Sequence, residues 1–280
     1  LIPRSRRFGI KERVKADGSV ECGLNSGEVA RLTTRLMDCS VETVAVVLLH
    51  AYANKEHECR VADILERYLP NIPVSISSEI SPEFREFERT STTVLNALLM
   101  PVVGVYLQRL EEKLAKEGMT APVFLVQSNG GVTTPTGAAR QPARLLLSGP
   151  SGGAKAAETI AERLDILNLV AVDMGGTSYD VSVVENGQVR LINQGEVDFC
   201  PVRLPMVEMR TIGAGGGSIA RVDTVDGLKV GPESAGADPG PVCYDNQGGS
   251  PTVTDANVIL GRIDPEIFLG GAMILDAEAA

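Results

Sequence analysis

The stretch "VAVDMGGTSYDVSVVENGQVRL" (Val170–Leu191) decides how this chain is read. An apolar, β-branched run ends in Asp173-Met174-Gly175-Gly176-Thr177, and a second acid, Asp180, follows. A glycine pair lets the backbone turn sharply and come close to a ligand. The N–H groups of such a turn can point at phosphate oxygens, and the Thr177 hydroxyl adds another donor. Asp173 repels phosphate itself. It suits a hydrated Mg2+ that bridges to phosphate, because Mg2+ prefers oxygen ligands and keeps several waters. Asp180 is either a second ligand or a cap of the turn.

Downstream, Val181, Val183 and Val184 are expected to pair with Val189, Leu191 and Ile192 around Glu185-Asn186-Gly187, since Asn-Gly is a strong two-residue turn signal. A hairpin after the glycines differs from a dinucleotide-binding unit, where the glycine loop opens a helix. No G-x-x-x-x-G-K-[ST] loop is present either. From the motif alone, a structural turn with a capping Asp and a phosphate turn both fit. The hairpin context favours phosphate.

Working outward, three more strand ends are expected to run into small polar turns: Ser128-Asn129-Gly130-Gly131, Ser148–Gly153 and Gly213–Ser218. Ligands of open α/β sheets bind beyond the carboxyl ends of strands, so four such ends could line one cleft. "LLLSGPSGGAKAAETIAERL" reads as strand, glycine turn and then helix from about Ala154. Gly149, Gly152 and Gly153 would offer backbone donors to an anion there. In Gly215-Gly216-Gly217-Ser218 the simplest reason for consecutive small residues is exclusion of side chains, by a nucleotide or by another strand. Ser128 and Asn129 are candidate substrate contacts.

Residues 43–79 read as strand, helix, strand, with Val61, Ile64, Leu65 and Tyr68 at helical spacing. The two strands are therefore expected to be parallel. Residues 88–117 read as two helices or one kinked at Pro101. The segment after Asp226 reads as long ordered loops, and "TVTDANVILGRI" as a short helix.

Composition narrows the class. The chain has 280 residues, 44% hydrophobic, with no Trp and a net charge of −10. The core must be aliphatic, as in parallel sheets covered by helices. The acidic balance argues against nucleic-acid or anionic-membrane binding, and the apolar run Val44–Leu49 is too short to cross a bilayer. Five widely spaced Cys without C-x-x-C point to a reducing, cytoplasmic setting. Two His, His50 and His57, are too few for a usual zinc hydrolase centre. "SGPSGG" is not a serine-nucleophile elbow. The sequence opens Leu1-Ile2-Pro3 without an initiating Met, as a fragment or a processed segment would.

The blocks "SSEISPEFREFERTSTTVLNALLMPV" (77–102), "QSNGG", "LLLSGPSGG", "VDMGGTSYDVSVV", "RTIGAGGGSIARVD", "VGPESAGADPGPVCY", "PTVTDANVILGRI" and "FLGG" together resemble the hydantoinase A/oxoprolinase family. Residues 1–79 resemble the tail of its N-terminal domain, and 80–280 the hydantoinase A domain. The resemblance implies an α/β, actin-like (ribonuclease H-like) ATPase fold truncated at the N-terminus. It also implies ATP and Mg2+ as cofactors, a small cyclic amide such as a hydantoin or 5-oxoproline as substrate, and a partner subunit of the hydantoinase B type, with homo-oligomers possible. It makes Asp173, with Asp180, the Mg2+ position, and Gly175, Gly176 and Thr177 the second of two phosphate turns, the first expected before Leu1. A ketone carboxylase subunit of the same family and a non-catalytic nucleotide-binding module are the alternatives. Tyr179, where Thr is common in the family, and Leu99, where an aromatic is usual, depart from the pattern.

Overall fold

The computed structural model describes residues 2–197, 199–244 and 248–280. In chain order the elements are β1 (Arg13–Val14), β2 (Val20–Cys22), α1 (Ser26–Asp38), β3 (Val44–Val46), α2 (Glu56–Tyr68), β4 (Val74–Ile76), α3 (Ser77–Ile80) and α4 (Glu86–Lys116). Next come β5 (Leu125–Val126), β6 (Val132–Thr133), α5 (Pro135–Arg140), α6 (Ser148–Arg163), β7 (Leu169–Met174), β8 (Tyr179–Glu185) and β9 (Gln188–Val189). The rest are β10 (Leu191–Ile192), β11 (Gly195–Val197), β12 (Cys200–Val202), β13 (Met206–Val207), β14 (Met209–Ile212), β15 (Ser218–Val222), β16 (Leu228–Ser234) and α7 (Val253–Ile259). This is a mixed α/β chain in two compact units, Leu1–Gly152 with Leu191–Val207, and Gly153–Arg190 with Glu208–Ala280.

In the first unit β3 and β4 pair in parallel, Val44 opposite Val74 and Val46 opposite Ile76, with α2 as the crossover. The strand–helix–strand reading of residues 43–79 holds. Asn25 starts α1 by accepting the N–H groups of Gly27 and Glu28. Val29 and Leu36 of α1, Val61 and Leu65 of α2, and Val46 and Ile76 of the strands form one aliphatic core. Each large side chain so buried contributes roughly 1.5–3 kcal/mol. Glu58 of α2 is fully buried, and it ties the helix to both strand ends. It accepts the Leu48 N–H (2.8 Å), the Ser77 hydroxyl (2.6 Å) and the Ser78 N–H (2.8 Å).

Residues 86–116 form one helix that continues through Pro101, not two. Pro101 removes a single N–H, and a 31-residue ladder absorbs that loss. Among the described residues α4 is also the one helix long and apolar enough to cross a membrane, a length that the short run Val44–Leu49 does not foreshadow. Its N-terminal half turns Arg89 and Asn96 inward, as a helix of a protein core does. Asn96 donates to Ser75 Oγ and the Arg140 carbonyl, and accepts from the Ala143 N–H.

In the second unit β8 is the centre of an antiparallel sheet in the order β14-β8-β7. Val181 and Val183 face Val172 and Val170 of β7, not the downstream segment. Only Val184–Val189 and Glu185–Gln188 pair across Asn186-Gly187, where both turn residues take positive φ (52° and 79°) as a two-residue hairpin requires. Leu191 and Ile192 instead pair with Val207 and Met206. The expected long hairpin is thus cut short, because β8 already has a partner on each edge. Among the described residues β7 has no second partner, and Val170, Val172 and Met174 are exposed on one face.

Two further expectations are corrected. No strand runs through Leu145–Leu147, and α6 begins at Ser148, so the glycines 149, 152 and 153 lie inside a helix. Pro150 sits in the first turn, where a missing N–H costs nothing. Ser151 steadies the start by donating its hydroxyl to the Leu147 carbonyl (2.7 Å). The segment after Asp226 is not all loop, since β16 pairs with β15. Asp223 builds their turn by accepting the N–H groups of Val225 and Gly227. Pro232 hides the strand in the sequence, yet an outer strand tolerates it.

Candidate functional site: a glycine cradle beside two carboxylates

The turn Gly175–Ser178 joins β7 to β8, and the Gly175 N–H closes it on the Ser178 carbonyl (2.9 Å). Gly176 and Thr177 are exposed, and their N–H groups have no partner among the described residues. Gly213–Gly217, which follows β14, folds back onto this turn. The Gly216 N–H donates to the Gly175 carbonyl (2.9 Å) and the Gly217 N–H to the Gly176 carbonyl (2.7 Å). The second loop therefore holds the carbonyls of Gly175 and Gly176, while the N–H groups of Gly176 and Thr177 make no hydrogen bond among the described residues.

This approach explains the glycines. A Cβ on Gly215 would lie 2.6 Å from the Thr177 backbone, and one on Gly217 would lie 2.9 Å from Ser234 Oγ and 3.1 Å from the Gly176 carbonyl. Side-chain exclusion by another stretch of backbone was one of the two reasons expected. The loop is braced in turn by Thr254, whose N–H (2.8 Å) and hydroxyl (2.9 Å) donate to the Gly216 carbonyl. The Ser218 hydroxyl is buried without a partner among the described residues.

Asp173 and Asp180 are direct cross-strand partners on β7 and β8. Like charges directly opposite destabilise a strand pair, so this pair favours a cation. Thr211 is the next residue in the same row, on β14, and donates its hydroxyl to Asp180 Oδ1 (2.6 Å). Two carboxylates suit a Mg2+ that keeps most of its waters. No group of three or more His, Cys, Asp or Glu stands together among the described residues, so a fully protein-built metal cage is a poor description of the pair. Thr211 and Thr254 escaped the sequence reading. Thr211 was legible only once the register of β14 on β8 was known.

Ser128 and Asn129 belong to the first unit with Gly149 and Gly152. Ser128 is buried; its hydroxyl donates to the Arg144 carbonyl (2.9 Å), and its own carbonyl accepts Ser151 Oγ (2.9 Å). Asn129 Oδ1 accepts the Gly131 N–H, closing the Asn-Gly turn. Gly149 and Gly153 have open space where a Cβ would go.

Behind the cradle, Asp255 forms a capping box with Thr252 at the start of α7. Burial works against its ionisation. The N–H of Cys243 and the groups of Thr252 outweigh that and hold the carboxyl below its usual range. Burial, with Asp255 beside it, pushes the Cys243 thiol up to about 12.

The fold and site thus define an α/β protein with a backbone cradle of glycines next to paired carboxylates. The hydantoinase/oxoprolinase model matches residues 89–280, and that for the N-terminal region of the same proteins matches 1–69. The chain belongs to the hydantoinase/oxoprolinase family. It is 37% identical to the caprolactamase subunit alpha of Pseudomonas jessenii over 280 residues, all of this chain and 40% of that one. The crystal structure of that organism's ATP-dependent caprolactamase superposes with a TM-score of 0.83 at 36% identity, covering 99% of this chain and 40% of the other. Nucleotide-free acetone carboxylase superposes with a TM-score of 0.75 at 31% identity, covering 99% and 40%. The 5-oxoprolinase of Saccharomyces cerevisiae is 34% identical over 87% of this chain and 20% of its own. The chain thus spans well under half the length of these relatives.

Proposed function

We propose that this chain is part of an ATP-dependent enzyme that opens a cyclic amide, and that it carries one of two phosphate turns of an actin-like, cytoplasmic ATPase. The observation that carries the reading is the cradle: Gly216 and Gly217 clamp the carbonyls of Gly175 and Gly176, leaving free N–H donors beside two facing carboxylates. Backbone donors fixed in this way suit phosphate oxygens. Asp173 and Asp180 would hold Mg2+, with Thr211 orienting Asp180. Gly175, Gly176 and Thr177 would donate to phosphate, and Gly215–Ser218 would border the nucleotide. When bound, ATP supplies the phosphoryl group that activates the carbonyl oxygen of the substrate. Of the three glycines only Gly149 keeps a free N–H at the start of α6, since Gly152 and Gly153 lie within the helix ladder; Ser128 and Asn129 remain candidate substrate contacts. A partner subunit of the hydantoinase B type completes the enzyme.

The likeness to acetone carboxylase favours a second reading, ketone carboxylation, in which the ATP step is shared and the acceptor differs. ATP turnover by the full-length protein with hydantoin, 5-oxoproline, caprolactam, and acetone plus bicarbonate separates the two. Asp173→Asn should lower that turnover on the order of 100-fold and leave the melting temperature unchanged or raised. Undiminished turnover would leave Asp173 as a turn residue only.

A further inference from the structure

We infer a second ligand site in this chain, for the carboxylate of a small-molecule substrate, at the carboxyl end of the β3–β4 pair, with Arg89 as its anchor. Ligands of parallel strand pairs gather beyond those ends. Arg89, in the first turn of α4, is fully buried there. Its Nη2 donates to the Leu48 carbonyl (2.8 Å), just past β3. Its Nε and Nη1 have no hydrogen-bond partner among the described residues. A guanidinium is always charged and carries five N–H donors, and a buried donor without an acceptor is strongly unfavourable.

The surrounding groups leave the demand unmet. Glu58 accepts the N–H of the same residue, Leu48, together with the Ser77 hydroxyl and the Ser78 N–H, and it makes no ion pair with Arg89 among the described residues. Glu86 is the one carboxylate within 4.0 Å among the described residues; it stands at 3.8 Å and is 45% exposed. The Tyr52 ring covers the guanidinium at 5.6 Å. His50 meets Tyr52 edge-on and keeps its Nδ1 on the Val14 carbonyl (2.9 Å). His50 and Tyr52 are partly exposed. An acceptor that is planar and anionic fits these donors better than a neutral ring edge.

The inference deepens the cyclic-amide reading and rests on it for the ring, while the carboxylate part is tested separately. Calorimetry on the full-length protein compares 5-oxoproline with 2-pyrrolidinone, the same ring without the carboxylate. The carboxylate should tighten binding at least tenfold, and Arg89→Lys should remove that preference without changing Mg-ATP affinity. In the wild type the 15N-edited NMR signal of the Arg89 Nε–H should move with 5-oxoproline and stay still with 2-pyrrolidinone, which keeps the test valid if the variant fails to fold. Equal affinity for the two rings, or an Nε–H signal indifferent to 5-oxoproline, overturns the site. Loss of Mg-ATP binding alone, with the preference intact, overturns the ATPase reading instead.

Discussion

Two glycine-rich segments that look alike in sequence do opposite things in the fold. Gly215–Gly217 is packed so tightly that the Thr177 backbone and the Thr254 and Ser234 hydroxyls occupy the place of its side chains, whereas Gly149 and Gly153 face open space at the start of α6. In the first case glycine is there because other parts of the chain come close. In the second, nothing in the chain requires it, so those glycines either weaken the helix for no structural return or leave room for something outside the chain. Composition alone cannot separate these cases, because both are runs of Gly and Ser. The difference lies in where the next strand goes.

Substitution breaks the comparison open. Gly231→Ala should have the largest effect, since Gly231 combines φ +68° with a Cβ position that collides with the Gly213 carbonyl. A loss of about 3 kcal/mol or more should appear as a clear drop in the chemical-denaturation midpoint. Gly215→Ala should cost about 2–3 kcal/mol, with the added effect of exposing the Gly175 and Gly176 carbonyls to faster hydrogen exchange at the Gly216 and Gly217 amides. If either variant melts like the wild type, the clamp is not a structural requirement.

Acid probes the brace behind the clamp. The Asp255 carboxyl is held below its unfolded value of 3.8, so its stabilisation is complete above that value and is lost as pH falls through the lower folded one. Acid unfolding of α7, followed by the fluorescence of the adjacent Tyr244, should begin below about pH 4. Asp255→Asn should flatten that dependence and cost about 1 kcal/mol at neutral pH. Gly153→Ala should have the smallest effect and the opposite sign, a gain of about 0.5–1 kcal/mol in helix stability. Weakened nucleotide binding in that more stable variant would assign the open space at the start of α6 to a ligand.

Much of this was legible. The periodicity of α2, the parallel β3–β4 pair and the short helix α7 follow from residues a few positions apart. Asp173–Thr177 could be recognised because its glycines and acids are contiguous. What escaped depends on register or distant partners. The β15–β16 hairpin is masked by Gly231-Pro232 inside its second strand. The helical start of α6 is disguised by three glycines and a proline. Thr211 reaches Asp180 only because β14 and β8 pair Thr211 with Asp180, and Arg89 is buried by Leu48 and Tyr52, far away in sequence.

The bare edge of β7 carries a handling consequence. Its six residues, Leu169–Met174, hold one charge and a row of backbone donors and acceptors that is unpaired among the described residues, beside the exposed Val170 and Val172. Such an edge is a template for strand-to-strand sticking between molecules. Preparations of this 280-residue chain should therefore grow in light scattering with concentration until something covers that edge.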